Sequence, residues 1–263
     1  MGRARKFPSN AARQAHYRAA KAARLLQLCG TCVTIGPCTL HCGDALAVVP
    51  HLPPWDHVIT DPAYEDEVHT RTRRTRAVLE GRDPYAAIPF APITEAQRRF
   101  ITRLRGGWIL AFCQAEAVKL YADLFGTKYR RVCTWVKPDS APQCTGDRPA
   151  QGAESIVCAW GAPGKSHWNA GGKRGVYTHS VHDGHPRLHP TQKPVPLLRE
   201  LLRDFTQPDD VILDPFMGSG SLGVACFATG RRYVGVELDP SYFAKACTWI
   251  AQVQQQGRLF AAS

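Results

Sequence analysis

Residues Gly218-Ser219-Gly220-Ser221-Leu222-Gly223 spell G-x-G-x-x-G. They follow the apolar run Val211-Ile212-Leu213 and open a helix predicted to continue to Ala228. Strand, glycine turn and helix in that order form the phosphate- or nucleoside-binding half of a βαβ unit. The glycines let the backbone turn tightly and approach a ligand closely. The next predicted strand, Tyr233 to Val236, ends at Glu237, where an acidic side chain can grip ribose hydroxyls.

The pattern upstream has the same character. It predicts a helix from Thr94 to Leu104, a strand Trp108 to Phe112 and a helix Ala115 to Phe125. Strands Val132 to Val136 and Glu154 to Trp160 follow, then a helix Val195 to Phe205. A last helix runs to about Val253. Alternation of this kind predicts an α/β fold with a mostly parallel, doubly wound sheet and helices on both faces. This glycine half fits a nicotinamide dinucleotide as well as S-adenosylmethionine, because both carry an adenosine ribose. No Gly-Lys-Ser/Thr sequence is present, which excludes a Walker phosphate loop.

A second stretch narrows the choice. His57-Val58-Ile59-Thr60 reads as a buried strand and delivers Asp61-Pro62-Ala63-Tyr64 at its carboxyl end. Open α/β sheets place ligands at that edge. An isolated Asp-Pro-x-Tyr can also be a helix start, with Asp61 as N-cap and Pro62 in the first turn.

Charge points to the partner. The chain has 263 residues and a formal net charge of +11, a balance that favours an anionic partner such as nucleic acid. Residues 1–28 form a basic arm with Arg13, Arg18, Lys21 and Arg24. Residues 29–263 form the main domain, with two long polar segments at 65–93 and 161–188. The first carries Arg71, Arg73, Arg74 and Arg76, and the second carries Lys165, Lys173 and Arg174. No run of ~18 apolar residues appears, so no membrane span is expected. The basic start lacks a signal peptide's apolar core, and a cytoplasmic location is the expectation. The sequence leaves the oligomeric state open, a homodimer included.

Ten cysteines raise the question of metal. Cys29-x2-Cys32 suits a zinc knuckle with Cys38 and Cys42. However, residues Thr34 to Leu40 read as a hairpin with a Gly36-Pro37 turn, expected to draw the second pair away. No metal is therefore expected there. His179, His182, His185 and His189 lack a regular ligand spacing and read as a polar loop. Cys113, Cys133, Cys158 and Cys226 lie in apolar segments, where a thiol packs as a small hydrophobe.

Together, Asp61-Pro62-Ala63-Tyr64, Asp214-Pro215-Phe216-Met217-Gly218-Ser219-Gly220, His189-Pro190-Thr191-Gln192-Lys193-Pro194 and Val234-Gly235-Val236-Glu237 resemble the β-class amino DNA methyltransferases. That family includes enzymes of restriction–modification systems. In it the catalytic D-P-P-Y motif precedes the cofactor motif, and this chain has the same order. The resemblance implies a Rossmann-like methyltransferase fold, S-adenosylmethionine as cofactor and double-stranded DNA as partner. It implies methyl transfer to adenine N6, with Asp61 and the Pro62 carbonyl accepting the amino hydrogens and Tyr64 stacking on the flipped base. It implies that Asp44, Asp214, Phe216, Gly218, Gly220 and Glu237 bind the cofactor, with Thr191 and Lys193 facing its methionine end. Ala63 stands where the family has a second proline. Activity is still expected, and the less rigid backbone puts the rate in question.

Three other readings stay open on the residues. Cytosine-N4 transfer uses the same fold, but relatives usually carry Ser at the position of Asp61. A weakly active DNA-binding relative would follow from Ala63 and the basic arm. A nucleotide-dependent oxidoreductase would explain the glycine turn but not Asp61 to Tyr64. Cytosine-C5 chemistry needs a Pro-Cys nucleophile, and Pro37-Cys38 lies in a predicted turn far from the catalytic strand.

Overall fold

The computed structural model describes residues 30–64, 91–142, 146, 149–185 and 187–261. The basic arm, Cys29 and the arginines at 71, 73, 74 and 76 lie outside the described residues. The strands are β1 (Thr31–Ile35), β2 (Cys38–Cys42), β3 (His57–Thr60), β4 (Trp108–Cys113), β5 (Tyr129–Val136), β6 (Ala153–Trp160), β7 (Val176–Thr178), β8 (Val211–Asp214) and β9 (Arg232–Glu237). The helices are α1 (Ala45–Val48), α2 (Glu95–Arg103), α3 (Val118–Phe125), α4 (Val195–Phe205), α5 (Ser221–Ala228) and α6 (Pro240–Ala261).

The nine strands among the described residues join one sheet in the order β1-β2-β9-β8-β3-β4-β6-β5-β7. The centre, from β2 to β4, is parallel throughout. β6 runs antiparallel between β4 and β5. The expected mostly parallel α/β sheet is thus present, with an antiparallel insertion near one end.

Side-chain alternation puts two cores on the two faces. Ile59, Leu110, Ile156, Cys158 and Ile212 face Leu197, Leu201, Leu222 and Ile250 of α4, α5 and α6. Their sequence neighbours Val58, Ile109, Val157, Ala159 and Leu213 face Ile101, Tyr121 and Phe125 of α2 and α3. Every second residue changes face, so these central strands are apolar on both sides and read as continuous hydrophobic runs. Helix α4 buries Leu197, Leu198, Leu201, Leu202 and Phe205 along one stripe. Helix α2 starts at a capping box: Thr94 Oγ1 accepts from Gln97 N, and Gln97 Oε1 accepts from Thr94 N.

Three boundaries differ from expectation. β5 begins at Tyr129 rather than Val132, because exposed Arg130 and Arg131 hide a strand start that carries a register shift. β7 lies within the segment expected to be a loop and pairs parallel to β5 through only three residues. α6 runs on to Ala261 rather than ending near Val253.

The Gly36-Pro37 hairpin forms, and its register places the cysteines. Cys42 pairs with Thr31 and Cys32 with His41, so Cys42 shares a face with Val33 and Leu40 while Cys32 points to the other face. Cys38 does lie apart, at the turn end, where it is fully buried and its thiol meets the Gly223 carbonyl. Burial pushes that thiol up to about 12. Among the described residues, no group of three or more His, Cys, Asp or Glu side chains could hold a metal ion.

From β8 the chain crosses to β9 on one side, and from β3 it crosses to β4 on the other. The two connections diverge, which opens a crevice above the carboxyl ends of β3 and β8.

Candidate active site

Both strands that flank this crevice end in Asp-Pro. On β8 the residue is Asp214, and after β3 it is Asp61. The two carboxylates do different things.

Asp214 is buried and is held by protein donors. Thr60 Oγ1 and Phe216 N lie 3.2 Å from its Oδ1, and the Tyr233 hydroxyl lies 3.2 Å from Oδ2. It therefore joins β3, β8 and β9 under the floor of the crevice. Burial raises its carboxyl to about 7, against the pull of these donors.

Asp61 has one cation partner. Lys193 Nζ donates to Oδ2 at 2.6 Å, while Oδ1 is buried and has no hydrogen-bond partner among the described residues. Burial outweighs the ammonium, and with the nearby Glu154 carboxylate it raises Asp61 to about 6. Lys193 comes from the turn before α4 and is 4% exposed. Its Nζ also lies 3.3 Å from Glu154 Oε2 and over the rings of Tyr64 (5.1 Å) and Phe112 (5.2 Å). The expected neighbour of Lys193 was the cofactor; in the structure its ammonium meets Asp61.

Glu154 and Lys137 belong to this cluster, and neither was singled out from the sequence. Glu154 Oε2 accepts from the Tyr64 hydroxyl at 2.5 Å, and Oε1 accepts from Lys137 Nζ at 2.9 Å. Burial works to raise the Glu154 carboxyl, but the two lysines and the tyrosine outweigh it and bring it to about 2. The available signal was a Glu near the start of the apolar strand β6 and a Lys directly after β5.

The glycine turn forms the opposite wall. Gly218 and Gly220 have φ of +55° and +82°, conformations that side chains disfavour. A Cβ on Gly220 would come within 2.9 Å of Ala246 Cβ, and one on Gly223 within 2.7 Å of Ile250 Cδ1. Gly223 therefore serves the packing of α5 on α6 rather than ligand approach. Glu237 holds the turn: its Oε2 accepts from Gly218 N at 2.7 Å and its Oε1 from Asp239 N at 2.8 Å. Burial raises its carboxyl. Asp44 caps α1 by accepting from Leu46 N at 2.9 Å. Thr191 bonds to His189 Nδ1, and the His189 ring tilts against Tyr242 with centroids 4.5 Å apart.

These walls enclose one cavity of about 710 Å³. Asp61, Pro62, Tyr64, Lys137, Glu154 and Lys193 line one part of it. Asp44, Asp214, Phe216, Gly218, Glu237 and Leu238 line another, and Thr191 and His189 line the cavity as well. Gly220 lies outside the lining. Lys165 and Arg174 are exposed and also lie outside it. Lys173 is engaged by Glu200 and Asp204 of α4 and stands over the Tyr177 ring, so it ties the loop to the fold.

Residues 160–248 match the family N6_N4_Mtase, described as DNA methylase. Over that stretch the chain is similar to the N6/N4 DNA methylases. It is 32% identical over 150 residues to the Type II methyltransferase M.Cfr9I of Citrobacter freundii, covering 51% of this chain and 46% of that protein. Across three curated relatives, the chain spans between 33% and 47% of their length. The crystal structure of the M1.HpyAVI–SAM complex matches with a TM-score of 0.61 at 24% identity, over 80% of this chain and 98% of that one. The cytosine-N4-specific PvuII DNA methyltransferase matches with a TM-score of 0.60 at 13% identity, over 85% and 93%. These structural likenesses establish the Rossmann-like methyltransferase fold.

Proposed function

We propose that this chain transfers a methyl group from S-adenosylmethionine to the exocyclic N6 of an adenine flipped out of double-stranded DNA. One observation carries the reading. Asp61 Oδ1 is a buried acceptor with no partner among the described residues, and it lines the same cavity as the Glu237-held glycine turn.

The residues present fit the cofactor. Gly218 leaves the backbone bare where the turn lines the cavity, and Phe216 offers an aromatic face. Glu237 and Asp44 offer carboxylates for ribose and adenine, and Thr191 lines the same cavity. A carboxylate oxygen can accept more than one hydrogen bond, so Glu237 can hold Gly218 N and a ribose hydroxyl together. When bound, S-adenosylmethionine supplies an electrophilic methyl group. Asp214 braces the floor beneath.

The base end is built for an amino group. The nitrogen lone pair of adenine is delocalised into the ring and is a poor nucleophile. Asp61 Oδ1 and the Pro62 carbonyl accept the two amino hydrogens and draw the nitrogen towards tetrahedral geometry. The lone pair is then localised for attack on the methyl carbon; as the N–C bond formed, the methyl–sulfonium bond would break and leave its electron pair on the sulfur of the departing S-adenosylhomocysteine. Asp61 takes the surplus proton, a role suited to a carboxyl at about 6. The Tyr64 ring stacks on the base, a contact worth ~1–3 kcal/mol, once the base has left the duplex.

DNA contact in this reading comes from Lys165, Arg174, the arginines at 71, 73, 74 and 76, and the basic arm. Lys173 contributes by holding its loop. The test is nucleoside mass spectrometry of DNA incubated with the chain and S-adenosylmethionine. N6-methyladenine is expected. N4-methylcytosine would move the target to cytosine, and the absence of any methylated base would remove the reading.

A further inference from the structure

We propose that Glu154 is a positioning residue for methyl transfer, holding the Tyr64 ring by its hydroxyl and balancing Lys193 so that Asp61 keeps one oxygen for the base. The inference rests on the methyl-transfer reading above.

Three observations carry it. First, a single carboxylate reaches both functional groups: Glu154 Oε2 takes the Tyr64 hydroxyl at 2.5 Å and lies 3.3 Å from Lys193 Nζ. Second, the cluster is charge-balanced. Asp61 and Glu154 face Lys193 and Lys137, with Lys137 on the far oxygen of Glu154 at 2.9 Å. The Glu154 and Lys193 side chains are 12% and 4% exposed, so water replaces neither partner. Third, Glu154 sits on β6, opposite Trp135 of β5, so its carboxylate is set by the sheet and not by a loop.

The physics follows from the geometry. A tyrosine ring alone can swing about its χ1 and χ2 axes. Tethered at its far end to a sheet-borne carboxylate, it stands fixed as a stacking platform. Lys193 shared between two carboxylates pulls less on Asp61 than Lys193 given to Asp61 alone. The charged and titratable groups around Asp61 are Lys193 before α4, Glu154 on β6, Tyr64 on its own segment and Asp214 on β8. Removing the Glu154 charge takes away a repelling carboxylate and hands Lys193 to Asp61, so Asp61 becomes harder to protonate.

The experiment compares the full chain with Glu154→Gln, Glu154→Asp and Tyr64→Phe. Cofactor affinity is read by calorimetry, and kcat, KM and the pH–rate profile by methyl transfer to DNA. Glu154→Gln is expected to keep the cofactor Kd within two-fold, lose at least ten-fold in kcat with little change in KM, and move the acid limb to lower pH. Glu154→Asp restores the limb in part. Tyr64→Phe loses several-fold in kcat, and its limb stays in place or moves to higher pH, opposite to Glu154→Gln. Wild-type kcat in Glu154→Gln, or a loss with no shift of the limb, overturns the proposal. Should Glu154→Gln fail to fold by circular dichroism, unchanged kcat in Tyr64→Phe overturns it. A wild-type chain that methylates no DNA removes the underlying reading as well, which separates the two failures.

Discussion

Lys193 Nζ lies 2.6 Å from Asp61 Oδ2, so the buried cation of the His-Pro-Thr-Gln-Lys-Pro stretch meets the carboxylate that ends the β3 strand. Residues 132 positions apart thus share one charge pair at the base end of the cavity. Asp61→Asn keeps the shape but removes the charge, and the amide can turn a donor towards the amino group. Methyl transfer should fall by ~10²–10⁴-fold, the scale of a lost acid–base group. Cofactor affinity should stay near wild type. Tritium transfer and calorimetry on the same preparation check both, and near-normal turnover would sink the assignment.

The pH dependence of turnover has a definite sign. Asp61 must be ionised to accept amino hydrogens and the released proton. Its carboxyl is raised to about 6 by burial, so kcat should be level above that pH and fall about ten-fold per unit well below it. A rate that stays level down to pH 4.5 would refute the role.

Stability should run the other way. Asp61 at about 6 and Asp214 at about 7 both hold protons more tightly in the fold than in the unfolded chain. For a raised carboxyl, the stabilising contribution is fully present below the unfolded pKa of about 4 and is lost as pH rises through the folded value. Glu154, lowered to about 2, works oppositely, and its change lies below about pH 4.5. Between pH 5 and 8, Asp214→Asn should therefore flatten the fall in Tm seen in the wild type. Parallel slopes for the two proteins would show that Asp214 is ionised in the fold.

Glu237 carries the prediction for the cofactor. Glu237→Gln preserves size and one acceptor for Gly218 N but loses the charge. S-adenosylmethionine affinity should weaken by ~1.5–3 kcal/mol, the scale of a hydrogen bond to a charged group. Titration calorimetry reads it directly, and an unchanged Kd would displace the cofactor from this wall.

Readout of DNA should be shallow and electrostatic. Base-edge recognition needs several side chains set in a groove. The segment 161–188 offers Lys165 and Arg174 exposed, while Lys173 is committed to α4. A short or degenerate site is expected, with affinity falling steeply as salt rises through counterion release. Single-molecule sequencing that returned a strict site of six or more bases would refute the first part. Affinity indifferent to salt would refute the second.

The sequence carried much of this architecture because its central strands are buried on both faces. Runs such as Trp108 to Phe112 and Ile156 to Trp160 have no polar side to blur them. Asp61 and Glu237 were legible for a related reason: each is the first charge after an apolar strand. What was illegible depends on pairing across the sheet. Glu154 is one acidic residue among many until β6 sets it within reach of Tyr64 and Lys193. Arg130 and Arg131 disguise the start of β5, and β7 is too short to show a pattern. That Cys42 and Cys32 leave opposite faces of the hairpin depends on its register, which composition does not encode.

Asp214 accepts hydroxyls from Thr60 on β3 and Tyr233 on β9 while standing on β8 itself. Three strands, drawn from opposite ends of the chain, are latched at one buried carboxyl. Such an arrangement opens as a unit. Amides of Ile59, Leu213 and Val234 should then exchange with solvent hydrogen on a common timescale, and Asp214→Ala should release all three together while leaving α3 and its neighbours slow.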